Sequence, residues 1–121
     1  TQDAPQTVDR IIDVFPPHQQ SQIRAQLSTT LLGVVAQRLI PHANGKERVL
    51  ALEILVRNDA LTNCITEGNT HQIYSMMQIG RADGMITLEH SLKELQQEGL
   101  ITEEQVNLWS RDVGLKESSE Q

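Results

Sequence analysis

Aromatic residues are nearly missing from this sequence. Phe15, Tyr74 and Trp109 are its one phenylalanine, one tyrosine and one tryptophan, 2% of 121 residues, so the core has to be built from aliphatic side chains. Hydrophobic residues of all kinds reach 38%. That is low for a self-sufficient domain and points to a missing partner surface. Positive charge is scarce as well: 10 Lys and Arg stand against 16 Asp and Glu, a net charge of −6. This balance argues against a nucleic-acid binder and against adsorption to anionic lipid through bulk charge. No apolar run is long enough to span a bilayer, and no signal peptide is present. Cys64 is the single cysteine; it cannot make an internal disulfide, and a reducing cytosol is the simplest compartment. The length fits one domain with a modest core. The start at Thr1-Gln2-Asp3, without Met, is compatible with a fragment.

What the chain does have is one apolar stretch, Leu31 to Val56. Two runs rich in branched residues, Leu31 to Ile40 and Val49 to Val56, flank Pro41-His42-Ala43-Asn44-Gly45-Lys46, and each reads as a strand. Asn44-Gly45 predicts a tight hairpin turn with positive φ at both central positions. The near-continuous apolar character predicts burial on both faces. Two strands alone are marginal in water, so the pair is expected to belong to a sheet larger than this chain supplies. A turn centred on Asn44-Gly45 places Ala36 opposite Glu53 and Arg38 opposite Ala51. Arg38 and Glu53 then become diagonal neighbours on one face. A structural ion pair or an exposed edge is favoured over a catalytic role for them.

Elsewhere the periodicity is helical. The fold class read from the chain is therefore α+β, mostly helical with a β-hairpin. Asp3 can cap a first helix over residues 3–15, with Val8, Ile11, Ile12 and Phe15 on one face. Pro16-Pro17 stops it and starts a second over 17–32, whose stripe is Ile23, Leu27 and Leu31. The hairpin occupies 33–56, with Gly33 where helix gives way to strand. A helical part covers 59–114. In it, Asn58 or Asp59 caps a short helix from Ala60 to Glu67 that ends at Gly68. Asn69 with Gln72 suggests a capping arrangement before a helix whose apolar face is Ile73, Met76 and Met77. Arg81 to Gly84 reads as a loop. Thr87 caps a helix with Leu88, Leu92 and Leu95 inward, and Gly99-Leu100 ends it. Thr102 to Gln105 is a capping box for a last helix carrying Val106, Trp109 and Val113. Residues 115–121 form a polar, frayed tail.

The chain shows no self-contained active site. Gly45-Lys46 fails as a phosphate loop, because position 40 is Ile rather than Gly and Glu47 replaces the Ser or Thr that would hold magnesium. His18, His42, His71 and His90 have no ligand spacing, so no metal site is expected. Cys64 reads as a packing residue rather than a nucleophile. The acidic Glu94, Glu98, Glu103 and Glu104 read as solvated helix faces. A helix-turn-helix reading of the segment around Gly99 to Thr102 fails on the sign of its charge. No catalytic, nucleotide-binding or metal-ligating residue is assigned, and no cofactor is expected in this chain.

Several stretches together resemble one family. Thr7 to Pro16 resembles the segment just after the histidine box of the secretion and type IV pilus motor ATPases. Gly33 to Ile40 and Arg48 to Val56 resemble their next two strands. Glu67 to Gly80, then Gly84 to Leu88, resembles the PilT-type retraction branch in particular. The match runs from about Asp3 to Gln105. It implies the C-terminal part of a RecA-like α/β P-loop ATPase domain, in a cytoplasmic homohexamer at the inner-membrane base of a type IV pilus, driving retraction and twitching motility. The phosphate loop, acidic boxes and histidine box, with the ATP and magnesium they hold, would belong to the whole motor and not to this chain. The implied partners are the rest of the motor domain, neighbouring subunits and the pilus inner-membrane machinery, with no nucleic acid and no membrane insertion.

Retraction motors carry a helix written AIRNLIRE that is associated with retraction. The matching stretch here is Ala60-Leu61-Thr62-Asn63-Cys64-Ile65-Thr66-Glu67. Ala60, Asn63, Ile65 and Glu67 agree with it; Thr62 and Thr66 replace both arginines, and Cys64 replaces a leucine. Threonine cannot stand in for a guanidinium. Ordinary packing of Leu61 and Ile65 is the competing account of this helix. Two further readings of the whole chain stay open: a stand-alone helical adaptor binding through Ala60 to Gly80, and the equivalent segment of a pilus-assembly or type II secretion ATPase.

Overall fold

A computed structural model describes residues 3–110. Its helices are α1 (Ala4–Asp13), α2 (Pro17–Thr30), α3 (Asp59–Glu67), α4 (Ile73–Ile79), α5 (Leu88–Gln97) and α6 (Glu103–Trp109), and its strands are β1 (Gly33–Pro41) and β2 (Arg48–Val56). The Asp3 side chain caps α1, accepting from the Gln6 amide at 2.8 Å. The helix stops at Asp13, two residues before the expected end, and Val14 is 79% exposed. Its buried stripe is Ala4, Val8 and Ile12, spaced four apart, while Ile11 is 37% exposed. The expected face was therefore rotated slightly too far towards Ile11 and Phe15. In α2, Ile23 and Leu27 pack on the core together with Leu31, as their spacing predicts.

The strands form a two-stranded sheet. His42 N donates to Glu47 O at 2.8 Å at one end, and Arg57 N donates to Leu32 O at 2.9 Å at the other. Both bonds belong to the register read from the sequence, with Ala36 opposite Glu53 and Arg38 opposite Ala51. The turn itself differs from expectation. Only Gly45 has positive φ, at 75°, and the His42–Glu47 bond closes a wider loop than a two-residue turn. Inside that loop Asn44 Oδ1 accepts from the Lys46 amide, stabilising a conformation that asparagine adopts with negative φ. Gly33 is needed for closeness rather than for φ: a Cβ there would lie 2.8 Å from Leu55 O.

Two separate sets of buried aliphatic side chains divide the chain into two compact units, where the sequence suggested a single core. The first comprises residues 3–36 and Glu53–Ile86. Its core joins Ala4, Val8, Ile12, Leu55, Leu61, Ile65, Ile73, Met76, Met77 and Met85. The second comprises Gln37–Leu52 and the described residues from Thr87 onward, around Ile40, Ala51, Leu88, Leu92 and Ile101. In the first unit, Ile54 and Ile86 exchange backbone bonds at 2.8 and 2.9 Å, so the stretch after the expected loop adds a bridge to β2. Arg81–Asp83 is a short 3-10 turn rather than an irregular loop. Asn69 makes no capping bond to the turn that follows it; its side chain donates to Glu67 Oε2 at 3.3 Å instead.

In the second unit, Thr87 and Thr102 cap α5 and α6 as expected, accepting from the His90 and Gln105 amides. Gln105 does not reach back to complete a capping box. Its Oε1 accepts from Trp109 Nε1 at 3.0 Å, tying one turn of α6 to the next. Gly99, with φ of 78°, ends the chain's path out of α5, and Leu100 N donates to Leu95 O. The expectations for Val113 and for the 115–121 tail lie outside the described residues.

Glu53 is the one acidic side chain among the buried residues of the first unit, 2% exposed. Its Oε1 accepts from the Ala4 amide at 2.7 Å. The sequence suggested Arg38 as a diagonal neighbour; the structure shows a bond from the first turn of α1. That amide is one of the orphan donors of a helix start, and a charged acceptor suits the positive end of the helix dipole. Glu53→Ala leaves this buried N–H without its acceptor. We expect a loss of about 1–3 kcal/mol, measured as a lower urea midpoint at unchanged slope. Val14→Ala, at an exposed position, should stay within about 0.5 kcal/mol of the parent.

Candidate functional site

The segment singled out by its sequence folds as α3, which lies in the first unit. Of the two capping candidates, Asn58 is the cap. Its Oδ1 accepts from the Leu61 amide at 2.8 Å, and its Nδ2 donates to Asp83 Oδ2 at 2.9 Å. Asp59 occupies the first turn, where negative charge complements the helix dipole. Gly68 ends the helix with φ of 76°, a conformation that other residues adopt only under strain. A Cβ on Gly68 would sit 3.6 Å from Arg24 Nε, so α2 places a guanidinium beside the C-terminal end of α3. Positive charge there suits the dipole. The spacing of Arg24, off the apolar stripe of its own helix, carried no sign of this placement.

The eight residues of the motif separate by face. Leu61 and Ile65 are fully buried in the core. Thr62 turns towards α2, its hydroxyl donating to Ser28 O at 3.3 Å, and Thr66 donates back to Thr62 O at 2.9 Å. Both hydroxyls therefore bond backbone carbonyls. Ala60, Asn63 and Glu67 are exposed, at intervals that put them along one side of the helix. Cys64 is half-buried beside that stripe.

Next to it runs an open groove of 440 Å³, lined by Ala60, Cys64, Gln72, Ser75, Met76 and Ile79. The sequence reading assigned the first two to a functional helix, and took in the others only through the alternative of an adaptor binding through Ala60 to Gly80. Met76 fitted the core face of α4 and is indeed 8% exposed. Ile79, at the end of the same helix, is 85% exposed, and one apolar residue in the last turn of a short helix leaves no periodic signal. The groove is small-residued on the α3 side and apolar at its floor. It holds no acid–base pair or nucleophile with a base, so its geometry suits contact rather than chemistry. Arg38, the remaining candidate, sits half-buried on β1 in the second unit. Among the described residues there is no cluster of three or more His, Cys, Asp or Glu able to hold a metal, and no helix is long and apolar enough to cross a membrane.

Similarity to known proteins bears on what this arrangement belongs to. No protein-family model matches the chain. It is 43% identical over 104 residues to a twitching motility protein of Neisseria gonorrhoeae, covering 86% of this chain and 28% of that protein. It is 41% identical to the type IV pilus retraction ATPase PilT of Pseudomonas aeruginosa, covering 86% of this chain and 30% of that one. Its fold is similar to a crystal structure of the pilus retraction motor PilT with bound ADP, at a TM-score of 0.78 and 42% identity, over 93% of this chain and 31% of that chain. The chain belongs to the PilT-type retraction ATPase family and corresponds to its C-terminal part. It spans less than a third of the length of these relatives. As a PilT-type segment, its helices and hairpin are part of a P-loop ATPase fold.

Burial raises the Cys64 pKa above its ordinary value, and the negative charge of Glu67 adds to the shift. The thiol is therefore favoured over the thiolate at neutral pH. Because the folded pKa is the higher one, the associated stability is present below the unfolded thiol's pKa and is lost as pH rises through the folded one. Alkylation of Cys64 by iodoacetamide at pH 8 should be slower in the folded chain than in the chain unfolded by urea, since the thiolate is the nucleophile. Glu67→Gln should speed labelling of the folded chain, by mass spectrometry, without changing the unfolded rate.

Proposed function

We propose that this chain serves as the C-terminal part of a hexameric ATPase that powers type IV pilus retraction. The observation that carries the reading is the similarity, at 42% identity over 93% of the chain, to a structure described as a pilus retraction motor. In this reading the chain supplies strands and helices of the motor domain at the cytoplasmic face of the inner membrane. ATP and magnesium are bound by parts of the motor outside these residues, since a phosphate cradle needs a glycine-rich loop and a cation-holding hydroxyl that this sequence lacks. The α3 helix is the coupling element. Its exposed Ala60, Asn63 and Glu67 and the adjoining groove offer a contact surface to the pilus machinery, while Leu61 and Ile65 fasten it to the core. Thr62 and Thr66, which occupy the places of the family's arginines, leave the helix without those charges.

The test is a chimera in which this chain replaces the equivalent segment of a complete retraction motor. The chimera should hydrolyse ATP and restore twitching to a strain lacking its own motor. Asn63→Ala combined with Glu67→Ala should reduce twitching at least about tenfold while more than about half of the ATPase rate remains, the pattern of lost coupling rather than lost chemistry. The purified 121-residue chain should show no ATPase activity. Hydrolysis by that chain alone, or a chimera that folds and hydrolyses ATP but whose twitching is indifferent to the α3 changes, would overturn the reading.

A further inference from the structure

The loop joining β1 to β2 holds a reactive pair of residues. Asn44 is the one asparagine followed by glycine; Asn58, Asn63, Asn69 and Asn107 each precede a residue with a Cβ. Asn44 and Gly45 are both exposed, and a Cβ built on Gly45 would meet nothing within 4 Å. That side of the loop is therefore open to water.

Hydrogen bonds of the loop set the pair's geometry. His42 N donates to Glu47 O at 2.8 Å, and Gly45 N to His42 O at 2.9 Å. Asn44 N donates to His42 Nδ1 at 3.0 Å, and Lys46 N to Asn44 Oδ1 at 2.8 Å. Ala43 N donates to Leu100 O at 2.8 Å, anchoring the loop within the second unit.

The Lys46 bond bears on reactivity. It folds the Asn44 carboxamide back along the main chain as an Asx-turn. The ring it closes includes both Asn44 Cγ and Gly45 N, the two atoms that would join in forming a cyclic imide. The Lys46 N–H also points at the oxygen on which negative charge gathers during that attack, the position of an oxyanion donor. The bond from Gly45 N to His42 O opposes the reaction, because it must open before the N–H proton leaves. It belongs to an exposed loop, where local opening costs little.

We propose that Asn44 is a self-modification site, deamidating through a cyclic imide formed with Gly45 to give aspartate and isoaspartate. The Gly45 N–H proton passes to hydroxide or buffer base as the bond from this nitrogen to Asn44 Cγ forms. The tetrahedral intermediate expels Nδ2, which takes up a proton and leaves as ammonia. Water then adds to one of the two imide carbonyls. Opening at Cγ restores the original main chain and gives aspartate. Opening at the main-chain carbonyl routes the chain through the side chain and gives isoaspartate. Water is the only co-reactant, and nothing is oxidised or reduced. Both products add negative charge to a chain already at −6. The isoaspartate also adds an extra main-chain atom inside the loop that the His42–Glu47 bond closes. The inference needs no partner and does not depend on the motor reading.

Ageing the purified 121-residue chain at pH 8, folded and in urea, tests it. Peptide mass spectrometry follows the amide-to-acid mass gain at each asparagine, and protein isoaspartyl methyltransferase measures the isoaspartate. In the folded chain Asn44 should convert at least about tenfold faster than any other asparagine. Isoaspartate should form along with aspartate, and the rate should rise with pH, as attack by a deprotonated amide requires. Gly45→Ala places a Cβ beside the attacking nitrogen. It should slow conversion at least about tenfold in urea as well as in the folded state, so a folding defect in this variant does not obscure the result. A folded chain in which Asn44 converts no faster than the other asparagines would overturn the proposal. So would conversion to aspartate without isoaspartate, the mark of direct hydrolysis with no imide.

Discussion

The alternation of hydrogen-bonding direction along the hairpin is the constraint on which most of the structure depends. Once Leu32 pairs with Arg57 and His42 with Glu47, every peptide group between them is committed to one side or the other. The same register decides which side chains share a face, and so which enter a core. Along β2 it sends Ala51, Glu53 and Leu55 inward, and turns the peptide groups of Leu52 and Ile54 towards partners supplied by later parts of the chain. A slip of one residue would exchange these roles throughout the strand.

Near the N-terminus of α1, a second constraint meets the first. A buried carboxylate is costly unless its oxygens are satisfied, and a helix start is costly unless its amides are. Glu53 and Ala4 answer each other, which fixes the start of α1 against β2 within the first unit. Other polar contacts in that unit add to the apolar core. Arg57 donates to the carbonyl of Thr29, the last turn of α2, and Thr70 donates to Asp9 on α1. With so few aromatic side chains to cover large areas, the aliphatic core is supplemented by bonds at its margins.

How much of this was legible depended on whether the signal was local. Caps at Asp3, Asn58, Thr87 and Thr102, and the glycine ends at Gly68 and Gly99, follow from residue chemistry within one turn, and the structure places them there. The hairpin register was legible because a turn between two apolar runs determines it. The turn's shape was not, since Asn44 tolerates either sign of φ and its loop bonds favoured the negative one. The bond from Ala4 to Glu53 was not legible either: Ala4 is 49 residues away, and nothing in an alanine announces a donor. The site divides in the same way. The residues of α3 announced themselves through a resemblance, whereas Ile79 reaches the groove and Arg24 the end of α3 only because the chain folds back on itself. Burial on both faces of the hairpin was expected from its apolar runs. Within the described residues one face of β1 remains open, because apolar composition records a preference for cover without supplying the covering element.

Cys64 lends the groove an experimental convenience. It is the single thiol in the sequence, and it lines the cleft between α3 and α4. A small environment-sensitive dye attached there would need no engineered cysteine and no removal of competing ones. Its emission would report directly on whether that cleft is filled, hydrated or left alone, making this 121-residue chain its own sensor of occupancy.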